Sequence, residues 1–333
     1  MAIFSNLQVN LKKGVIIHHW DTDGLVSAAL LLNYFQQQYP EKKVELFTPV
    51  FGNYYLTTEQ YDYLQQQGYQ FVITCDINFP AETITQLAKL FPEQIYVIDH
   101  HRKTDYSGAQ YFHENIPACA ALITKLLNLS NNLLMVLGLV GDKEELIQAD
   151  KIYYPIVQEV MADYNLTFTQ LLELRRLIDS NYITNDYVGM LETIALLQTD
   201  PLSLLNDVRL QEHLVTINAE IQHLINKSVE QLSAKVKLLV VDTQLQVLSQ
   251  VTRHLSRQYP ADIIFTYQVT AAQVNCYVRR RNSTVAVSSL IDWAHDLNLN
   301  AGGKPEVVGI IVPLAHWATI LPKLQAKLLT LTA

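Results

Sequence analysis

GVIIHHWDTDG (Gly14–Gly24), FVITCD (Phe71–Asp76) and IYVIDHHRK (Ile95–Lys103) share one design. In each, about four β-branched or aromatic residues, suited to a strand buried on both faces, stop abruptly at carboxylates and imidazoles. An open α/β sheet keeps its ligand crevice beyond the carboxyl ends of such strands. Asp21 and Asp23 from the first stretch, Asp76 from the second, and Asp99, His100 and His101 from the third are therefore expected to meet in one crevice. Left unpaired, the carboxylates would repel one another. Divalent cations are the simplest remedy, and mixed carboxylate and imidazole ligands suit manganese better than calcium. Alternate residues of an extended segment point the same way, so Asp21 and Asp23 can each address a different metal. By the same alternation His19 shares the side of Asp21, and His18 reads as a packed or helix-facing residue.

Outward from these stretches, strand and helix patterns alternate. Leu25 to Gln38 carries apolar residues at helical spacing, Val44 to Phe47 reads as a short strand, and Thr57 to Gln66 as a helix closed by Gly68. The strand ending at Asp76, a helix from about Ala81 to Phe91 and the strand ending at Asp99 follow. The alternation predicts a doubly wound parallel sheet in an α/β fold. The first helix starts directly behind Asp23 and Gly24, so its free backbone N–H groups are expected to face the crevice. Pro117 to Leu129 and Asn132 to Val140 read as helices, the second delivering Gly141 and Asp142 to the crevice rim.

From Ile147 to about Lys235 the periodicity is helical with no strand run, and Asn206 to Lys235 reads as one long connecting helix. Strands return at Val236 to Asp242, Ile263 to Thr270 and Val274 to Arg279, with a helix at Leu245 to Gln258. A helix near Ser288 to Asn298, a loop NAGGKPEVVG and a final helix from about Pro313 complete a smaller C-terminal α/β domain. The expected division is 1–146, 147–235 and 236–333.

With 333 residues the chain is long enough for two domains of ordinary size. Hydrophobic content of 49% and charged content of 17% describe a globular protein without low-complexity runs. The formal net charge of −8 does not advertise a strongly basic groove for long duplex DNA. Cys75, Cys119 and Cys276 are scattered, odd in number and without metal-ligand spacing, which fits a reducing cytoplasm. The first residues lack a signal-peptide core and no apolar run is long enough to span a bilayer, so the expectation is a soluble, cytoplasmic protein with no membrane partner.

The strings HHWDTDGLVSA, TCD, VIDHHRK and the later LGLVGD (Leu137–Asp142) resemble the four ordered motifs of the DHH phosphoesterase family, named for the triplet at Asp99, His100 and His101. That family includes RecJ-type exonucleases, oligoribonucleases and cyclic-dinucleotide phosphodiesterases. The resemblance implies two Mn2+ ions, with Mg2+ as the alternative. His19, Asp21 and Asp76 would hold one, and Asp23, Asp76, His100 and Asp142 the other. Asp76 would bridge, keeping the cations roughly 3.5–4 Å apart to clamp one phosphoryl group and activate water. Asp99 is expected to accept the free N–H of a liganding imidazole. His101 is expected to face the substrate, with Arg102 and Lys103 adding charge. Some branches of the family place the first ligand four residues before the aspartate; here that position is Ile17, which excludes that version. His113, His213, His223, His254, His295 and His316 lack evident partners.

The C-terminal domain resembles the DHH-associated domain, which closes over the first and contributes substrate contacts to a cleft between the two. The family often has glycines followed by histidine. Here the run is Ala301, Gly302, Gly303, Lys304, so lysine stands where histidine is usual. Lys304 can still hold a phosphate as a point charge. Gly302 and Gly303 let the backbone approach a ligand. Of Arg279, Arg280 and Arg281, Arg279 is the expected substrate contact.

The resemblance points to a metal-dependent phosphoesterase hydrolysing phosphodiester bonds of short or single-stranded RNA or DNA, or of small nucleotides. Exonuclease activity stays open, because HHWDTDG has the spacing of RecJ-like relatives. Two other readings compete: a non-catalytic scaffold, which usually loses ligands, and a pyrophosphatase or polyphosphatase, which needs a different spacing before the first aspartate. For the middle segment, the roles of linker, homodimer surface and partner-docking site all stay open.

Overall fold

The computed structural model describes residues 3–4, 11–92, 94–101, 103–281 and 287–331. The chain divides into two compact units, Met1–Leu214 and Val215–Ala333.

The first unit begins with β1 (Lys13–His18), α1 (Thr22–Gln38), β2 (Lys43–Phe47), α2 (Thr58–Gln66), β3 (Phe71–Cys75), α3 (Ala81–Leu90), β4 (Ile95–Asp99) and β5 (Gln110–His113). Among the described residues its sheet has five strands in the order β2-β1-β3-β4-β5, every pair parallel. The doubly wound parallel sheet is as the alternation predicts. Because β2 lies on one side of β1 and β3 on the other, strand order reverses between β1 and β3. The residues that leave those two strands therefore open onto the switch point, where such sheets bind ligands. Val15, Ile16, Ile17, Phe71, Val72, Ile73 and Ile95 to Ile98 are fully buried. Each such side chain contributes about 1.5–3 kcal/mol when buried.

Helices α4 (Cys119–Leu126), α5 (Leu133–Lys143), α6 (Tyr153–Asp163), α7 (Phe168–Ile183) and α8 (Tyr187–Thr199) follow. Local chemistry fixes several helix starts in this unit. Thr57 and Thr167 each form a capping box with the glutamine three residues on, and Asn132 caps α5 through the Met135 N–H. The segment after Ile147 is not set apart from the sheet. Val157, Leu171, Leu174, Leu177, Ile178 and Ile194 join the same hydrophobic core as β1 and α1. α9 (Val208–Ile225) contains the boundary between the units.

The second unit holds β6 (Glu230–Ser233), β7 (Val236–Val240), α10 (Leu248–Gln258), β8 (Ile263–Val269), β9 (Gln273–Arg280), α11 (Ser289–Asp296), β10 (Asn300–Lys304), β11 (Val307–Pro313) and α12 (Trp317–Thr330). Its sheet runs β10-β11-β9-β8-β7-β6, mixed, with β7 and β8 parallel and the other pairs antiparallel. Alternation along β9 is strict: Val274, Cys276 and Val278 are buried in the core shared with α11 and α12.

Several expectations are corrected. The long helix ends at Ile225, and Glu230–Ser233 pairs with β7, so residues 147–235 do contain a strand. Glycine-rich NAGGKPEVVG is no loop; it forms β10 and the start of β11, a hairpin at the sheet edge. β5 had no apolar run to announce it, because its four residues are only half-buried. α5 extends through Lys143, so Asp142 projects from its last turn instead of following it. None of the helices among the described residues is long and apolar enough to cross a membrane.

Candidate metal centre

Asp76 leaves β3 with φ +57°, in the left-handed region, where a short polar side chain can hydrogen-bond locally but most residues are strained. That turn aims its carboxylate into the unit. Asp76 is 1% exposed and its Oδ1 has no hydrogen-bond partner. Burial, then the surrounding charges of Asp23, Asp21, Asp142 and Asp99, push its pKa well above the ordinary carboxylate range.

His100 stands opposite. Its Nδ1–H donates to the Ile116 carbonyl at 2.9 Å, which fixes the ring and leaves the Nε2 lone pair facing inward. Nε2 lies 3.3 Å from Asp76 Oδ1, 3.2 Å from Asp142 Oδ2 and 3.8 Å from Asp23 Oδ2. Burial lowers the His100 pKa, which keeps the imidazole neutral and the lone pair available.

Asp21 is the N-cap of α1, accepting the Gly24 N–H at 3.1 Å. His19 Nδ1 sits 2.8 Å from Asp21 Oδ1. Burial alone would raise the Asp21 pKa; the His19 imidazole overrides it and holds the carboxyl well below its usual range. Asp23 is fully buried and replaces the missing side-chain cap of α4. Its Oδ2 accepts the Cys119 N–H at 2.5 Å and its Oδ1 the Ala120 N–H at 3.0 Å. Gly138 on α5 makes room for this arrangement, since any Cβ there would collide with Asp23 Oδ1 and with Ala120.

Three groups of ligand atoms lie within 4.8 Å of one another: His19, Asp21 and Asp76; Asp23, His100 and Asp142; and Asp76, His100 and His101. The six residues expected to hold metal are thus brought together, with Asp76 common to two groups. The residues fit divalent cations on the chemistry of the donor set. Several buried lone-pair atoms, Asp76 Oδ1, His100 Nε2 and His19 Nε2 among them, have no hydrogen-bond partner, and such atoms cost about 1–3 kcal/mol each when left unsatisfied.

Asp99 departs from the expectation. Its Oδ1 accepts both the backbone N–H of His101 at 2.8 Å and the His101 Nδ1–H at 2.7 Å, so it orients His101, while the Ile116 carbonyl orients His100. The cause is local: Asp99 and His101 are two residues apart across a turn at the end of β4. Burial disfavours the imidazolium, but the hydrogen bond to Asp99 raises the His101 pKa to about 9. The side chain is 43% exposed, and its ring lies 4.5 Å from that of His100. His113, read as partnerless, donates from Nε2 to the His101 carbonyl at 2.6 Å. His18 is packed: fully buried, its Nδ1–H on the His19 carbonyl at 2.7 Å, its pKa pushed down by burial to about 4.

The α1 N-terminus is not the open anion site expected. The Gly24 N–H is held by Asp21, and the Thr22 N–H by Asp179 of α7 at 2.9 Å. Around His19 lie the rings of Trp20 (4.3 Å) and of Tyr54 (5.7 Å, stacked), and Tyr54 is 40% exposed. Arg102 lies outside the described residues.

Arg279, Gly302, Gly303 and Lys304 belong to the second unit. Lys304 pairs with Val307, and Val307 with Arg279, so Arg279 and Lys304 occupy one row across β9, β11 and β10. With strands about 4.8 Å apart, their Cα atoms stand roughly 10 Å from each other, side chains on the same face. Gly303, at φ +157°, has no room for a Cβ, which would meet the Val307 carbonyl oxygen.

Residues 13–149 match the model of the DHH family, N-terminal domain. No curated protein sequence matches the chain. Among solved structures the fold is similar to RecJ in complex with Mn2+ from Thermus thermophilus, with TM-score 0.64 and 17% identity, covering 96% of this chain and 52% of that one. It is similar also to an exonuclease RecJ bound to manganese, with TM-score 0.62 and 18% identity, covering 98% and 92%. A third is the DHH domain of a protein described as a member of a ribosomal protein family, with TM-score 0.67 and 15% identity, covering 98% and 87%. The chain spans about half the length of the Thermus RecJ.

Proposed function

From the match of residues 13–149 to the DHH family, N-terminal domain, we propose that this chain is a divalent-metal-dependent phosphoesterase. Its substrates on this reading are phosphodiester bonds of short or single-stranded nucleic acid, or small nucleotides. The observation that carries the reading is that two groups of candidate ligand atoms, His19 with Asp21 and His100 with His101, each include the buried Asp76, whose Oδ1 has no hydrogen-bond partner.

His19, Asp21 and Asp76 would hold one Mn2+ or Mg2+, and Asp23, His100 and Asp142 with the shared Asp76 the other. A bound pair supplies charge, polarising the phosphoryl group and making water nucleophilic at neutral pH. The protein's own groups do the rest. The Ile116 carbonyl holds His100 with Nε2 inward, and the two N–H groups at the start of α4 hold Asp23. Asp99 holds His101 at the exposed edge, where the imidazolium Nε2–H is free to donate to a phosphate oxygen or to the leaving group. Tyr54 offers a ring face beside His19 for a nucleobase, a contact worth about 1–3 kcal/mol per base. In the second unit, Arg279 and Lys304 form a cationic row suited to a phosphate.

The test is product analysis in Mn2+. A two-to-five-nucleotide RNA, a long 5′-labelled single-stranded DNA, a cyclic dinucleotide and adenosine 3′,5′-bisphosphate are compared side by side, with pyrophosphate as the control. Preference for the small substrates supports oligoribonuclease or bisphosphate phosphatase chemistry, and stepwise shortening of the long DNA supports an exonuclease. Inertness toward all, or fast release of orthophosphate from pyrophosphate alone, overturns the reading.

A further inference from the structure

Asp179 lies on α7, outside the span that matches the family model, yet it reaches the turn that carries two of the candidate ligands. Thr22 separates Asp21 from Asp23 at the first position of α1. Its backbone N–H donates to Asp179 Oδ1 at 2.9 Å. Its hydroxyl lies 2.7 Å from the same oxygen and 3.1 Å from the Arg175 carbonyl, so one proton serves two acceptors. Thr22 is 1% and Asp179 2% exposed, and water does not compete for these bonds.

The other oxygen of Asp179 is ion-paired with Arg175 Nε at 3.0 Å, one turn earlier on α7. Arg175 continues through Nη2 to Glu144 Oε1 at 3.3 Å. Glu144 follows Asp142 by two residues and closes α5 with φ +48°. One helix thus grips both ligand-bearing segments, the start of α1 through Asp179 and the end of α5 through Arg175. Those two segments touch directly as well. A Cβ on Gly141 would stand 3.1 Å from Thr22 Cβ and 3.3 Å from the Asp23 nitrogen. Between segments packed this closely, a small rotation of Thr22 moves both neighbouring carboxylates at once.

We propose that Asp179 and Arg175 are positioning residues that set the separation of Asp21 and Asp23 from Asp142, and so the affinity of the site for divalent cations. The inference rests on the metal-site reading above. The pair touches no substrate. It acts through Thr22 on one side and Glu144 on the other, as supporting shells orient ligands in metal sites generally.

The experiment is Mn2+ titration by calorimetry on the chelator-stripped full chain, with the thermal midpoint of each metal-free variant measured alongside. Asp179→Ala and Thr22→Val are expected to weaken Mn2+ binding roughly 10–100-fold. Asp179→Asn keeps an acceptor oxygen for Thr22 but turns its amide N–H2 toward Arg175 Nε, and is expected to recover only the part of the loss carried through Thr22. Thr22→Val keeps the side-chain volume and the backbone N–H bond to Asp179 but removes one buried hydrogen bond, so its metal-free midpoint is expected to fall only slightly, and titration well below that midpoint separates positioning from folding. Wild-type affinity in both Thr22→Val and Asp179→Ala overturns the inference while leaving the metal site standing. Equal loss in Asp179→Asn and Asp179→Ala, with a lowered midpoint in both, also overturns it. A wild-type chain that takes up no Mn2+ overturns the metal reading and this inference together.

Discussion

Asp76 Oδ1 and His100 Nε2 face each other at 3.3 Å, both buried, and neither has a hydrogen-bond partner. Since His100 spends its N–H on the Ile116 carbonyl, two lone pairs confront one another across that gap. A proton on Asp76, which its raised pKa favours, or a bound cation would relieve that confrontation, and the pair sits at the strand-order reversal where ligands of doubly wound sheets bind.

Asp76→Ala removes the carboxylate shared by the two ligand groups. Turnover is expected to vanish with the fold intact by circular dichroism. Retention of more than about a tenth of wild-type activity, equivalent to about 1.4 kcal/mol of barrier, would refute the shared role.

Metal should also stabilise the native state, because the unfolded chain lacks the assembled site. Free Mn2+ at a hundred times its Kd is expected to add about 2.7 kcal/mol, seen as a raised thermal midpoint that chelator reverses. In Asp76→Ala the increment should disappear, and an undiminished increment would locate the bound ion elsewhere.

Gly138 is the point at which α5 passes Asp23 and Ala120. Gly138→Ala is expected to cost about 1–3 kcal/mol through overpacking and to weaken Mn2+ binding by displacing Asp23. Urea denaturation and calorimetry report the two effects separately. Lost stability with unchanged affinity would mean that α4 alone fixes Asp23.

Lys304 lies in the second unit, in one row with Arg279. Lys304→Ala should raise KM with little change in kcat or in Mn2+ affinity. A fall in kcat at unchanged KM would contradict a role confined to substrate binding.

His213 gives a pH dependence remote from the metal centre. Burial holds its pKa below the ordinary 6.5, Arg209 acts in the same direction, and Asp186, 3.7 Å from Nε2, opposes them. Ser180 Oγ and Thr184 Oγ1 lie 3.3 and 3.4 Å from its Nδ1. The unfolded chain therefore binds this proton more readily than the folded one, and stability falls as pH drops below the unfolded value. His213→Gln should flatten that slope, measured as urea midpoints at about pH 7.5 and pH 5.5. An unaltered slope would show that other groups carry it.

The parallel sheet and the convergence of the candidate ligands were legible in the amino-acid sequence by itself. Asp21, Asp23, Asp76, His100 and Asp142 each follow a recognisable apolar run, and a buried strand that ends in a carboxylate announces both the strand and its exit. What the sequence did not determine is how those groups are held. The tertiary structure alone decided that Asp23 caps α4 and that Asp179 holds Thr22 from 157 residues away. It alone made Asn300–Lys304 an edge strand, and let half-buried Gln110–His113 extend the sheet next to β4. The physical reason is range. Periodicity and turn chemistry report on neighbours within a few residues, whereas a hydrogen bond between buried groups depends on which helices pack together, and no local pattern records that choice.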